Sequence, residues 1–180
     1  MPHIKLEDGV PGIRSLVMYR PDTGKYLYQL AQVLLRDESP LSQAERELIA
    51  AYVSYKNTCN FCMNSHAAAA RFLFKNDGQV VDLVLSDYHN APISNKIKAL
   101  LTIVAKVVED ARSVNENDVI SARNEGATDM DIHDAVLIAA TFCMFNRYVD
   151  GLATLTPTDP KSYEAMGERM GTYGYVLPQK

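Results

Sequence analysis

The sequence predicts an all-α fold in a single domain. Three observations carry that prediction: apolar residues recur at helical rather than alternating spacing, capping signals precede the apolar runs, and strand signals are scarce. With 180 residues, 47% of them hydrophobic, the chain is long enough to bury one sizeable core.

From Asp22 to Leu35, Tyr26, Leu27, Leu30, Ala31, Val33 and Leu34 fall at amphipathic spacing and predict the first helix. After Pro40, Ser42 and Glu45 form a capping box, in which each side chain satisfies an orphan N–H at the start of the helix that follows. That helix is predicted over 43–56, with Asn57-Thr58 breaking the chain before an alanine-rich helix from Cys59 to about Phe74. Asn76-Asp77-Gly78 is a turn, and the short apolar stretch Val80 to Leu85 fits strand or helix equally. Ser94 opens a periodic helix ending near Asp110, and Asn115 with Asp118 starts a short one that stops at Gly126. Thr128 and Asp131 repeat the cap before a core helix over 132–152, whose apolar faces are nearly continuous. The tail from Thr156 to Lys180 holds Pro157, Pro160, Gly167, Gly171, Gly174 and Pro178, and is expected to wrap over the surface or a neighbouring subunit. Pro40-Leu41-Ser42 and Pro92-Ile93-Ser94 form a faint internal echo.

A formal net charge of -4, with no cluster of Lys and Arg among aromatics, argues against a nucleic-acid partner. The first twelve residues lack the apolar run of a secretory signal, and no stretch reaches membrane-spanning length. Three cysteines without such a signal do not read as a disulfide framework, so the expected location is the cytoplasm and the close pair is read as chemically active.

That pair is Cys59-x-x-Cys62-x-x-x-His66, whose intervals of three and four place all three side chains on one helix face. Cys59 is expected in the first turn, where the positive end of the helix dipole lowers a thiol pKa. Cys62 lies one turn from His66, which can take its proton. Helix-end position thus favours Cys59 as the attacking sulfur and proximity to His66 favours Cys62; the reading taken is Cys62. Glu47, on the preceding helix, folds back over this face if the two helices are antiparallel, and so orients His66. Half a zinc site has the same spacing, but no second Cys-x-x-Cys accompanies it, and the remaining histidines, His3, His89 and His133, have no ligand spacing relative to it. Cys143 reads as an inert core residue, and Asn146, Arg147 and Asp150 as a buried hydrogen-bond network with an exposed pair. His89 and His133 read as loop or surface residues, and Tyr26, Tyr28, Tyr52 and Tyr55 as packing.

These residues resemble a known pattern, that of the AhpD-like alkylhydroperoxidases of the carboxymuconolactone decarboxylase superfamily: a Glu, eleven residues, then Cys-x-x-Cys-x-x-x-His. Glu47, Cys59, Cys62 and His66 fill it without a gap, within Leu41-Ser42, Glu45-Arg46-Glu47-Leu48 and Ser65-His66-Ala67-Ala68, and Phe145-Asn146-Arg147 with Asp150-Gly151-Leu152 resembles the family's closing helix. The likeness spans about residues 20–155 of one domain taken as 1–180, with the tail at 156–180. It implies an orthogonal helical bundle assembled as a homotrimer or homohexamer, no cofactor, and a peroxidase or disulfide reductase. One thiolate attacks an organic hydroperoxide, the second cysteine closes a disulfide, and an external dithiol or lipoylated partner restores the pair. One departure stands out: better-known members often carry a histidine between the cysteines, where this chain has Asn60-Phe61, which implies a weaker activity or one directed at a different disulfide or oxidant. The competing expectations are a lactone-processing decarboxylase that needs no thiols, and a redox sensor without turnover.

Overall fold

In the computed structural model, which describes residues 1–176, the described residues form helices and connections with no strand. The helices are α1 (Gly12–Tyr19), α2 (Pro21–Arg36), α3 (Gln43–Lys56), α4 (Asn60–Phe74), α5 (Val80–Asp87), α6 (Asn95–Asp110), α7 (Glu116–Asn124), α8 (Asp129–Gly151) and α9 (Pro160–Tyr173). The all-helical expectation holds. The stretch from Val80, open between strand and helix, is helical and buries Val80, Val81 and Val84 on one side.

The local chemistry of the starts is the chemistry read from the sequence. Ser42 with Glu45, Asn115 with Asp118 and Thr128 with Asp131 each close a reciprocal capping box, and the Ser94 side chain accepts from the Ile97 N–H. The echoed serines are therefore both N-caps, Ser42 within a reciprocal box and Ser94 by its side chain alone. The principal core joins α3, α6 and α8 through fully buried Leu48, Ile49, Leu100, Leu101, Ile103, Val104, Ile138 and Phe142, and α4 packs most extensively on α3 and α9. Burial of such side chains, worth roughly 1.5–3 kcal/mol each, is what holds the helices together.

Two elements differ from expectation. Helix α1 carries too short a period to stand out, and it fits because Gly12, at φ +54, lets the backbone pass against the Phe61 ring. The tail is not an irregular wrap: Asp159 caps α9 with Pro160 at its first turn, and the helix docks along α4. Gly167 and Gly171 are contact points rather than breakers. A Cβ at Gly167 would lie 2.6 Å from the Ala68 carbonyl carbon and one at Gly171 would meet the Phe72 ring, so the two glycines let α9 approach α4 closely. Pro178 lies outside the described residues.

Candidate active site

The link between α3 and α4 sets the cysteines. Thr58 takes the left-handed conformation at φ +56, its N–H bonds the Tyr55 carbonyl, and the Cys59 N–H bonds the Ser54 carbonyl. This is a Schellman closure of α3 with threonine where glycine is usual, and it makes Cys59 at once the end of one helix cap and the N-cap of the next. Asn57 donates to Asn146 Oδ1 at 2.9 Å, and Asn146 donates to Ser54 Oγ at 3.0 Å, pinning the link to α8. Asn146 thus anchors the buried network expected of it; Asn57 also reaches the half-buried Cys143 sulfur at 3.4 Å. Arg147 and Asp150 do not pair with each other; Arg147 bonds the Cys143 carbonyl.

Because Cys59 is the N-cap, the first-turn position belongs to Cys62. Cys59 is fully buried, and its thiol is pushed up rather than down by hydrogen bonding to Cys62, by burial and by the neighbouring charges of Cys62 and Asp150. The expectation of a lowered Cys59 is therefore corrected: a desolvated sulfur beside a second sulfur stays protonated. Both are free thiols here. Cys62 lines a cavity of about 380 Å³ together with Phe61, Ser65 and His66, and Cys59 is not among its lining residues.

Glu47 folds over this face as the spacing suggested. Its side chain is 0% exposed, and Oε2 accepts from His66 Nδ1 at 2.7 Å. An ionised carboxylate only accepts, so Nδ1 carries a proton, and in the neutral ring Nε2 keeps its lone pair. The imidazole is held on both sides, edge-on to Phe142 at 4.5 Å between centroids and stacked on Tyr175 at 6.2 Å. The other carboxylate oxygen, Oε1, accepts from Arg36 Nη2 at 2.6 Å and from the Tyr175 hydroxyl at 2.7 Å. Burial would raise the Glu47 carboxyl, but the charge and hydrogen bond of His66, the Arg36 guanidinium and Tyr175 together hold it below its ordinary value. Tyr175 is driven the other way, well above the usual phenol, by burial and the adjacent carboxylate.

Arg36 and Tyr175 escaped the sequence reading. Arg36 ends α2, bonds the Met170 carbonyl of α9 and lies over the Tyr175 ring at 5.2 Å. Tyr175 follows Gly174, whose φ of +68 turns the chain back from α9, and its N–H bonds Gln32 Oε1 at 2.8 Å. The only local hint was the Gly-Tyr pair itself. Tyr28, read as packing, also lines the cavity. His89 is exposed and His133 is exposed beside Asp134, as expected of surface residues. Among the described residues no three His, Cys, Asp or Glu side chains converge as a metal site, and no helix is long and apolar enough to cross a membrane.

The sequence model of the Carboxymuconolactone decarboxylase family matches residues 21–86, a span that holds Glu47, both cysteines and His66. No match is found among curated proteins. Three solved structures are similar over 88% of this chain. One is an alkylhydroperoxidase AhpD core, an uncharacterized peroxidase-related protein from Ralstonia eutropha JMP134, at 29% identity and TM-score 0.78, with 81% of that chain covered. Another is an uncharacterized peroxidase-related protein from Silicibacter sp. TM1040, at 27% identity and TM-score 0.78, again with 81% covered. The third, at 21% identity and TM-score 0.70 over 100% of its length, is a protein of unknown function from Agrobacterium tumefaciens described as a putative antioxidant defence protein AhpD; it speaks for the fold alone.

Proposed function

We propose, from the premise that the chain belongs to the AhpD-like and carboxymuconolactone decarboxylase superfamily, that it is a thiol-dependent reductase of organic hydroperoxides. The observation that supports this reading best is the order of groups at the cavity: Cys62 on its wall, Cys59 buried behind it, and the Glu47–His66 pair fixing a free imidazole nitrogen one helical turn from Cys62. In this reading His66 Nε2 takes the Cys62 proton, and Glu47 stabilises the imidazolium that forms. The thiolate attacks one peroxide oxygen and the O–O bond breaks. The leaving alkoxide takes the proton back from His66, which yields an alcohol and a sulfenic acid on Cys62. Cys59, kept as a thiol until then, attacks the sulfenic sulfur and expels water, closing the disulfide. An external dithiol, with a lipoylated partner as one candidate, reduces it by exchange. A compartment that keeps thiols reduced, the cytoplasm, suits this cycle.

The test is to mix reduced protein with cumene hydroperoxide and follow thiols and intact mass. Wild type loses two hydrogens from the peptide carrying Cys59 and Cys62, reversibly with a dithiol. Cys59→Ser stops at a trappable sulfenic acid on Cys62, and Cys62→Ser does not react. The family match also supports a second reading, a decarboxylase-like lactone enzyme, in which both serine variants keep full turnover of a lactone; inert thiols at a large peroxide excess would move the assignment there.

A further inference from the structure

The wall of the active-site cavity is apolar over most of its extent, with Leu27, Ala31, Phe142, Phe145, Met166 and Met170 contributed by α2, α8 and α9. Into the same cavity come two guanidinium groups, Arg14 of α1 and Arg169 of α9, and no acidic side chain lines it. Among the described residues neither arginine has a carboxylate within ion-pair distance, whereas the third arginine nearby, Arg36, is fully engaged by Glu47 and Met170. Tyr28 stands with the two arginines: it is 7% exposed, lines the cavity, and its hydroxyl has no hydrogen-bond partner among the described residues. Burial raises that phenol while the charges of Arg169 and Arg14 pull it down.

A phenol with no protein hydrogen bond among the described residues, sharing one cavity wall with two cations without counter-charges, leaves several donors free to meet a ligand in an otherwise apolar cavity. An anionic group suits these donors, since a carboxylate accepts from guanidinium forks and from a phenol. The adjoining apolar wall suits an alkyl chain, and Cys62 shares that wall.

We propose that Arg14, Tyr28 and Arg169 form a carboxylate-binding subsite, so that the hydroperoxide this cavity prefers is an amphiphile of the fatty-acid class, anionic at one end. The proposal rests on the peroxidase reading for its reaction but not for its binding site. The subsite takes no part in the electron transfer; the carboxylate emerges unchanged on the product alcohol, while Cys62 and Cys59 supply the two electrons that break the O–O bond.

Two measurements separate the binding claim from the reaction. In the first, decanoate and decanol are titrated calorimetrically into reduced wild type and into the Arg14→Gln/Arg169→Gln double variant. Both arginines are at least partly solvent-exposed, so the double variant is expected to keep the fold, which its thermal transition checks. Decanoate binds wild type about tenfold tighter than decanol, as two charge-assisted contacts allow, and the double variant loses that advantage while still binding decanol. Tyr28→Phe gives a smaller loss for decanoate alone. In the second, the rate of Cys62 oxidation by a linoleic acid hydroperoxide is compared with that by its methyl ester. The acid is about tenfold faster in wild type, and the ratio falls to near one in the double variant. Equal binding of decanoate and decanol, or an acid-to-ester ratio unchanged by the double variant, overturns the subsite. If no hydroperoxide oxidises the thiols but decanoate still binds through the arginines, the peroxidase reading fails and the subsite stands.

Discussion

Burial alone would raise the Glu47 carboxyl, yet three neighbouring donors reverse the sign, and that balance is the most informative feature at the scale of single residues. His66 Nδ1 and the Arg36 and Tyr175 donors each reach a carboxylate oxygen within 2.7 Å, around a side chain that is itself 0% exposed. A carboxylate so held has a folded pKa below its ordinary value of 4.5. Its contribution to stability is therefore present above that ordinary value and lost as pH falls through the lowered folded one. Tyr175→Phe removes one donor, lets the carboxyl rise, and is expected to cost about 1.5–3 kcal/mol at neutral pH. Denaturant titrations at pH 7 and at the lowest pH at which the protein stays folded should show the deficit shrinking at the lower value, as the carboxyl moves towards its protonated form. A deficit of equal size at both values would mean that the hydroxyl does not act on the charge. Of this cluster, Glu47 and His66 were legible in the sequence because one lies on each of two successive, antiparallel helices, so spacing alone brings them together. Arg36 and Tyr175 were not: Tyr175 is 128 positions from Glu47, and only the docking of α9 closes that gap.

Helix starts were readable because a cap is written in three or four adjacent residues, and Ser42, Ser94, Asn115 and Thr128 each fold as written. Helix α9 was not, because glycine has two uses that a sequence does not separate: it ends helices, and it lets two helices approach. Gly167 and Gly171, four apart, lie on one face and meet Ala68 and Phe72 of α4. The same seam carries Met166, Arg169 and Met170 to the cavity, so the packing of two elements decides whether the site has a wall. Gly167→Ala forces a methyl group into the Ala68 backbone and is expected to destabilise by about 1–3 kcal/mol, despite the better helix propensity of alanine. Gly151→Ala is the matched control: nothing lies within 4 Å of its added carbon, so the substitution is neutral or stabilising. Thermal or denaturant unfolding of the two variants measures this directly, and equal midpoints would show that α9 docks too loosely to shape the cavity.

The cysteines illustrate the reverse case, in which the position along the chain was read correctly and its chemistry was not: one residue's shift, from first turn to N-cap, moved Cys59 out of the cavity and into the core. At the scale of the whole molecule the corresponding question is which face the bundle leaves unfinished. Helix α8 turns Ile138, Phe142, Phe145 and Val149 inward, yet Met130, Leu137 and Met144 remain 55%, 37% and 44% exposed. They recur every seven residues, and Ala140 lies exposed between them on the same face. A seven-residue apolar repeat along a straight helix is the seam that another helix buries, and an uncovered run of this kind is disfavoured on an isolated chain. We take its occupant to be a second copy of the chain, in the trimer or hexamer that the superfamily resemblance leads one to expect. The seam predicts that Leu137→Glu with Met144→Glu, which places two charges where a partner's apolar residues would sit, lowers the mass measured by light scattering from that of the assembly to that of one chain. Because neither side chain touches the cavity, thiol oxidation per chain by cumene hydroperoxide should survive the dissociation. A wild type that scatters as a single chain removes the assembly, and a double variant that stays assembled moves the interface to another face.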